Sequence, residues 1–131
     1  MVPDEDGLPR VGSTGRTLGA RPGYPGDPAE PEPDIHVSAA GNVYPETGGA
    51  SAAIPPPDSL PPHRRPPKHG GKDKRLEVYE LETGDLPDEL EERIDPNNPA
   101  RHVFIEPSRV MGFEEYQRAL HSTRGFWRVV R

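Results

Sequence analysis

Apolar residues are scattered up to about residue 75 and recur at regular spacing beyond it. The clearest run is His102-Val103-Phe104-Ile105-Glu106. Alternation predicts a strand with Val103 and Ile105 on one face and His102, Phe104 and Glu106 on the other. Met111, Phe113, Tyr116 and Leu120 follow at helical spacing and predict an amphipathic helix from about Gly112 to Thr123. Leu76 to Leu81 reads as a strand. Leu86, Leu90 and Ile94 recur every four residues and predict a short helix, with Asp85 as its N-cap and Pro87 in its first turn. Asp95-Pro96-Asn97-Asn98-Pro99 would stop it. Phe126 to Val130 closes the chain as a strand, or as the helix continuing past Gly125.

The first half is read mainly from its turn residues. Residues 1–32 are rich in Gly, Pro and Asp and are expected to be extended or disordered. Residues 33–131 are expected to form a single α+β domain. Within it, Asp34 to Val37 predicts a short strand with Ile35 and Val37 pointing the same way. Gly41-Asn42 turns the chain into Val43-Tyr44, and the loop Thr47-Gly48-Gly49-Ala50-Ser51 follows. Residues 55–71, with Pro55-Pro56-Pro57 and Pro61-Pro62-His63-Arg64-Arg65-Pro66-Pro67, predict a semi-rigid polyproline II connector.

Composition narrows the function classes. The chain has 131 residues, of which 31% are hydrophobic, so it can bury only a modest core. Fifteen of the nineteen prolines precede Lys72, whereas all three Phe and the single Trp follow it, so a poorly self-folding first half should lie against a better-built second half. The net charge of −6, with no basic run beyond Arg64-Arg65 and Lys72–Arg75, argues against general nucleic-acid binding. Lack of Cys excludes disulfides and thiolate zinc sites. The acidic start lacks a signal-peptide pattern, and no apolar run reaches the length of a membrane span. Five scattered histidines show no metal-ligand spacing, and no metal site is expected.

Three places offer chemistry. Gly48-Gly49 removes side-chain bulk and lets a partner approach the main chain, between hydroxyls at Thr47 and Ser51; the same residues also suit an ordinary surface turn. Arg21, held extended by Pro22, could grip a phosphate or carboxylate by paired hydrogen bonds, or be a solvated linker residue. His102 and Glu106 share a strand face and could transfer protons or bind a ligand, or be the wet side of an edge strand.

Taken in order, Pro33-Asp34-Ile35, Gly41, Tyr44-Pro45, Thr47-Gly48-Gly49-x-Ser51, Leu86-Pro87-x-x-Leu90, Asp95, His102-x-x-Ile105-x-Pro107, Met111 and Trp127 resemble the toxin family of the second type VI secretion effector, over about residues 21–127. The resemblance implies a small ADP-ribosyltransferase-like fold, NAD as cofactor, and ADP-ribosyl transfer or NAD hydrolysis inside a rival bacterium. It also implies a cognate immunity protein and a protein or nucleic-acid target. The toxin would be made in the bacterial cytoplasm and moved by a specialised secretion system. The resemblance places Ser51 and His102 in the active site and matches Arg21 to an upstream arginine. Tyr44, Gly48 and Gly49 then belong to the cofactor site, with Glu106 as the carboxylate that stabilises the cationic ribose. The chain departs from the family by lacking a Leu-Tyr-Arg strand at its start, as expected of a truncated version or one that has lost that strand, and by carrying Ala50 where a second hydroxyl stands. The competing expectation is a non-catalytic module that offers Pro55–Pro67 to a partner, or an inactive remnant.

Overall fold

The computed structural model describes residues 1–131. The protein is an α+β domain with one α-helix and several short sheets. Its strands are β1 (Pro22–Gly23), β2 (Ile35–His36), β3 (Asn42–Val43), β4 (Ala50–Ala53), β5 (Tyr79–Glu80), β6 (Leu90–Ile94), β7 (His102–Pro107) and β8 (Met111–Gly112), followed by helix α1 (Phe113–Ser122) and β9 (Arg128–Val129). The largest sheet has the order β4-β7-β6, antiparallel throughout. Strands β1 and β2 pair in parallel, while β3 with β8 and β5 with β9 form antiparallel ribbons.

The run 102–107 forms the strand its alternation predicts, but in the centre of the sheet rather than at an edge. Val103 and Ile105 are buried on the face turned to the core, with Ala50, Ala52 and Leu90 beside them or packed against it. Helix α1 covers the core through Tyr116, Ala119 and Leu120. Its start has no side-chain cap, and Glu114 and Glu115 in the first turn complement the helix dipole instead.

Residues 83–94 do not form the helix that Leu86, Leu90 and Ile94 suggest. A 3-10 turn at Thr83–Asp85 is followed by a second turn at Asp88–Glu89 and then by β6. The reason lies downstream. Asp95–Pro99 supplies turn chemistry between two runs that can pair, so a hairpin with β7 outweighs the helix preference of Leu and Glu. Leu90 is buried and Ile94 is 55% exposed, so the four-residue spacing never described one buried face.

Residues 55–71 also depart from expectation. They form three 3-10 turns, Pro57–Ser59, Pro62–Arg64 and Pro67–His69, rather than one polyproline II rod. Arg65 folds back to donate to the His69 carbonyl at 2.6 Å, and the Arg65 carbonyl lies where a Cβ on Gly71 would stand.

The first 32 residues are mostly irregular, yet they pack on the body. Leu18 and Ala20 are buried. The amide of Ala20 donates to Gln117 Oε1 at 2.9 Å and its carbonyl accepts from Gln117 Nε2 at 3.0 Å. Arg124 reaches the Pro9 carbonyl and the Asp6 carboxylate.

Tyr116 joins the helix to the sheet. Its hydroxyl donates to the Ile105 carbonyl at 2.6 Å and accepts from the Ala50 amide at 3.0 Å, with the residue fully buried. Tyr116→Phe leaves both backbone groups without that partner. It should lower stability by about 1–3 kcal/mol, read as a shift in the urea midpoint at unchanged slope.

Candidate functional site

A strand places alternate side chains on one face, and pairing register aligns those of its neighbours. In β4-β7-β6, Ser51 lies opposite Phe104, Ala53 opposite His102, Arg93 opposite Phe104 and Glu91 opposite Glu106. The face away from the core therefore carries Ser51, His102, Phe104, Glu106 and Arg93 together. Residues 51 and 102, far apart in sequence, become neighbours through one ladder. The structure brings Ser51, His102 and Glu106 onto the same sheet face, with Glu106 buried there, and Ser51 stands on a strand rather than in the loop before it.

His102 is fixed from two sides. Its Nδ1 lies 2.8 Å from Asp95 Oδ2, and its ring meets Phe104 edge-on, centroids 4.8 Å apart and planes at 87°. A carboxylate only accepts, so Nδ1 carries the proton in this bond and Nε2 of the neutral ring is left as the acceptor. Asp95 sits in the turn after β6, where the Asn97 amide also donates to it at 2.9 Å. That backbone bond first, then the His102 bond, hold its carboxyl below the usual carboxylate range.

Glu106 is placed differently. It is 1% exposed, and its Oε2 accepts from Arg93 Nε at 2.9 Å and from the Glu46 amide at 3.2 Å. Its Oε1 is buried without a hydrogen-bond partner in the chain. Glu46 is the one non-glycine residue with positive φ, 65°, in the turn that directs its amide at this carboxylate. Arg93 is set between groups on its own face, with its guanidinium carbon 4.9 Å from the Phe104 ring centroid.

The glycine pair serves the chain's own packing. Gly48 has φ 109°, and a Cβ there would stand 2.6 Å from the Asp34 carbonyl; one on Gly49 would stand 2.5 Å from the Ile105 carbonyl. The Gly49 amide donates to that same Asp34 carbonyl at 2.8 Å. The close approach the glycines permit is thus to β7 and to the stretch before β2. Tyr44 is 41% exposed, and its carbonyl accepts from the Thr47 hydroxyl at 2.7 Å. Arg21 uses its backbone amide to bind Asp34 Oδ2 at 2.7 Å. Its charge also favours ionised Asp34, although burial wins and the Asp34 carboxyl lies above its usual range.

One hollow adjoins this face, and another opens on the core side of the sheet. The first, of about 260 Å³, is lined by Asp34, Gly49, Ser51, His102 and Phe104 among others. A larger cleft of about 1170 Å³ lies between the core side of the sheet, at Ala50, Ala52, Val103 and Ile105, and the proline-rich strap, and shares Asp34, Ser51 and His102 with the first. Neither is lined by Arg21 or Tyr44. No grouping of three or more His, Asp or Glu could hold a metal ion. No helix is long and apolar enough to cross a membrane.

Comparison with family models, curated proteins and solved structures finds no match. The site joins a hydroxyl, an oriented imidazole and an aromatic ring at a hollow of about 260 Å³, with the Arg93 guanidinium on the same sheet face outside that hollow.

Two of its members, Asp95 and Arg93, are not visible as site residues in the sequence, because both lie where a helix and its stop were expected. The signal that could have revealed them is the hairpin itself. A turn-rich segment between 90–94 and the best strand in the chain places Arg93 and Asp95 beside Phe104 and His102.

The Asp95 bonds give a pH test. A carboxyl held low in the folded protein contributes stability above its unfolded value, and that contribution is lost as pH falls through the folded value. The stability difference between wild type and Asp95→Asn should therefore be largest near neutrality and shrink below about pH 4. Urea denaturation across that range reads it, and a difference that stays constant would show that the Asp95 charge contributes nothing.

Proposed function

We propose that the protein is a small toxin of the ADP-ribosyltransferase-like class, acting on NAD inside a competing bacterial cell. The reading is supported chiefly by one observation: Ser51 and His102, which the family resemblance singles out, lie on one sheet face and share the walls of both hollows. The donor set suits NAD. The hollow of about 260 Å³ falls below the roughly 300 Å³ lower bound of small-molecule sites and so takes one ring-sized end. The remainder would lie along the outer face of the sheet, over Phe104. When bound, NAD supplies a labile bond between its ribose and nicotinamide.

The chain's own residues then bind and orient. The Ser51 hydroxyl offers a donor and an acceptor on an exposed strand position. His102, held by Asp95 and Phe104, presents Nε2 in a fixed direction, which favours catalysis by positioning. Phe104 supplies an apolar surface between them. Such a toxin has to be silenced where it is made, so the proposal includes a cognate immunity protein that covers this face. It also includes synthesis in the bacterial cytoplasm and delivery by a specialised secretion system. The proline-rich strap gains no support as a partner ligand, because its three tight turns break up the extended surface such a ligand presents.

Tightly controlled expression in bacteria tests this. Wild type should arrest growth and deplete cellular NAD. Ser51→Ala and His102→Ala, at equal soluble levels, should restore growth and slow NAD consumption by about 100-fold or more. Soluble, folded wild type that neither arrests growth nor consumes NAD overturns the proposal.

A further inference from the structure

Arg93 stands out in the molecule. Its Nε is bound to Oε2 of Glu106, a carboxylate with 1% of its side chain exposed, and its guanidinium lies over Phe104. No residue of the chain accepts from its two terminal nitrogens, while a quarter of the side chain, 26%, is open to solvent. Most arginines of an ordinary surface lie loose in water or pair through their outer nitrogens. This one is gripped from behind and left free at the front. Side-chain entropy is the main cost of ordering an arginine around a ligand, and here much of that cost is already met. The outer edge of a guanidinium offers parallel N–H donors matched to two oxygens of one anion.

Register places this fork. Arg93 and Ser51 lie on the two strands that flank Phe104, one on each side of it. Two strand spacings separate them, about 10 Å. The fork and the hydroxyl therefore face one surface strip with an aromatic ring between them and His102 at the ring's edge.

We propose that Arg93 is an oxyanion-binding residue for a phosphate-type group, and that Glu106 is its positioning residue and makes no contact with the ligand itself. The near-complete burial of Glu106 argues for this division of labour, since a carboxylate with no exposed surface cannot meet a substrate. The anion is held by directed N–H donors more than by net charge, because Glu106 balances the Arg93 cation. Within the toxin reading the bound group is the diphosphate of NAD. That assignment rests on the reading, whereas the anion site does not.

The experiment uses the full chain, inorganic pyrophosphate, ADP and inorganic phosphate as probes, and two readouts. Titration calorimetry gives affinity, and the Arg93 Nε–Hε NMR signal reports contact directly. Wild type should bind pyrophosphate and ADP with the Arg93 signal shifting. Binding of inorganic phosphate with equal affinity would assign the site to free phosphate, and tighter ADP binding to a nucleotide diphosphate. Arg93→Ala should weaken pyrophosphate by about tenfold or more, and Arg93→Lys, which keeps the charge but not the fork, should recover only part of that. Glu106→Gln, folded by circular dichroism, should also weaken binding and broaden the Arg93 signal. Wild type that binds no probe, or Arg93→Lys that binds as wild type does, overturns the proposal. Failure of the toxin reading looks different: no growth arrest, with Arg93-dependent pyrophosphate binding intact.

Discussion

The hydroxyl of Tyr116 is the point through which the domain is held in register. It donates to β7 at Ile105 and accepts from β4 at Ala50, so one buried oxygen fixes the helix against two strands at once. Burial raises its pKa, which keeps the phenol protonated and able to donate. Directly behind that oxygen, Gly49 has no room for a Cβ, because the Ile105 carbonyl and the Tyr116 hydroxyl already fill the space. The next residues along β4 inherit that constraint. Ser51 faces Phe104 because Ala50 is pinned opposite Ile105.

A single three-stranded sheet thus carries two unlike surfaces. Its inner face is aliphatic and meets Tyr116 and Leu120 in the core. Its outer face holds an ion pair, an imidazole, an aromatic ring and a hydroxyl within one ladder. With only 22 of 131 residues buried, the domain has little apolar mass to spend on rigidity. The outer face is ordered instead by directional contacts: Asp95 to His102, His102 to Phe104, Phe104 to Arg93, Arg93 to Glu106 and Glu106 to the Glu46 amide. Each link orients the next, and the chain of contacts crosses the sheet from the turn before β7 to the loop before β4.

The parts of this arrangement that could be read from sequence are those where one periodicity dominates. The alternation of 102–106 and the helical spacing of Met111 to Leu120 both describe buried faces, and both elements form within a residue or two of expectation. Leu86, Leu90 and Ile94 show the opposite. Their spacing is helical, but the pairing energy that decides the segment comes from β7, which a local window cannot see. The same long-range pairing is what brings Arg93 and Asp95 to the site. The glycine pair was conspicuous in sequence, yet what approaches it is the chain's own backbone at Asp34 and Ile105. Sequence marks where close approach is possible and leaves open what does the approaching. The strap at 55–71 curls because a proline is held extended only where another proline follows it, and each 3-10 turn starts at the last proline of a run, Pro57, Pro62 or Pro67.

The N-terminal segment is fastened to the last helix and the turn after it, through Ala20 to Gln117 and through Pro9 and Asp6 to Arg124. These contacts span nearly the whole chain, and the central strand of the sheet is itself in the final third. On a ribosome, β4 and the loop before it emerge long before the strand they must pair with. Contacts of such wide separation are slow to close because the intervening loop must be ordered first. The outer face of the sheet accordingly comes into existence only once β6 and β7 have been made. A chain made only as far as β4 has Ser51 but neither Arg93 nor His102 to set beside it, so the site is a product of long-range pairing and belongs to no local segment.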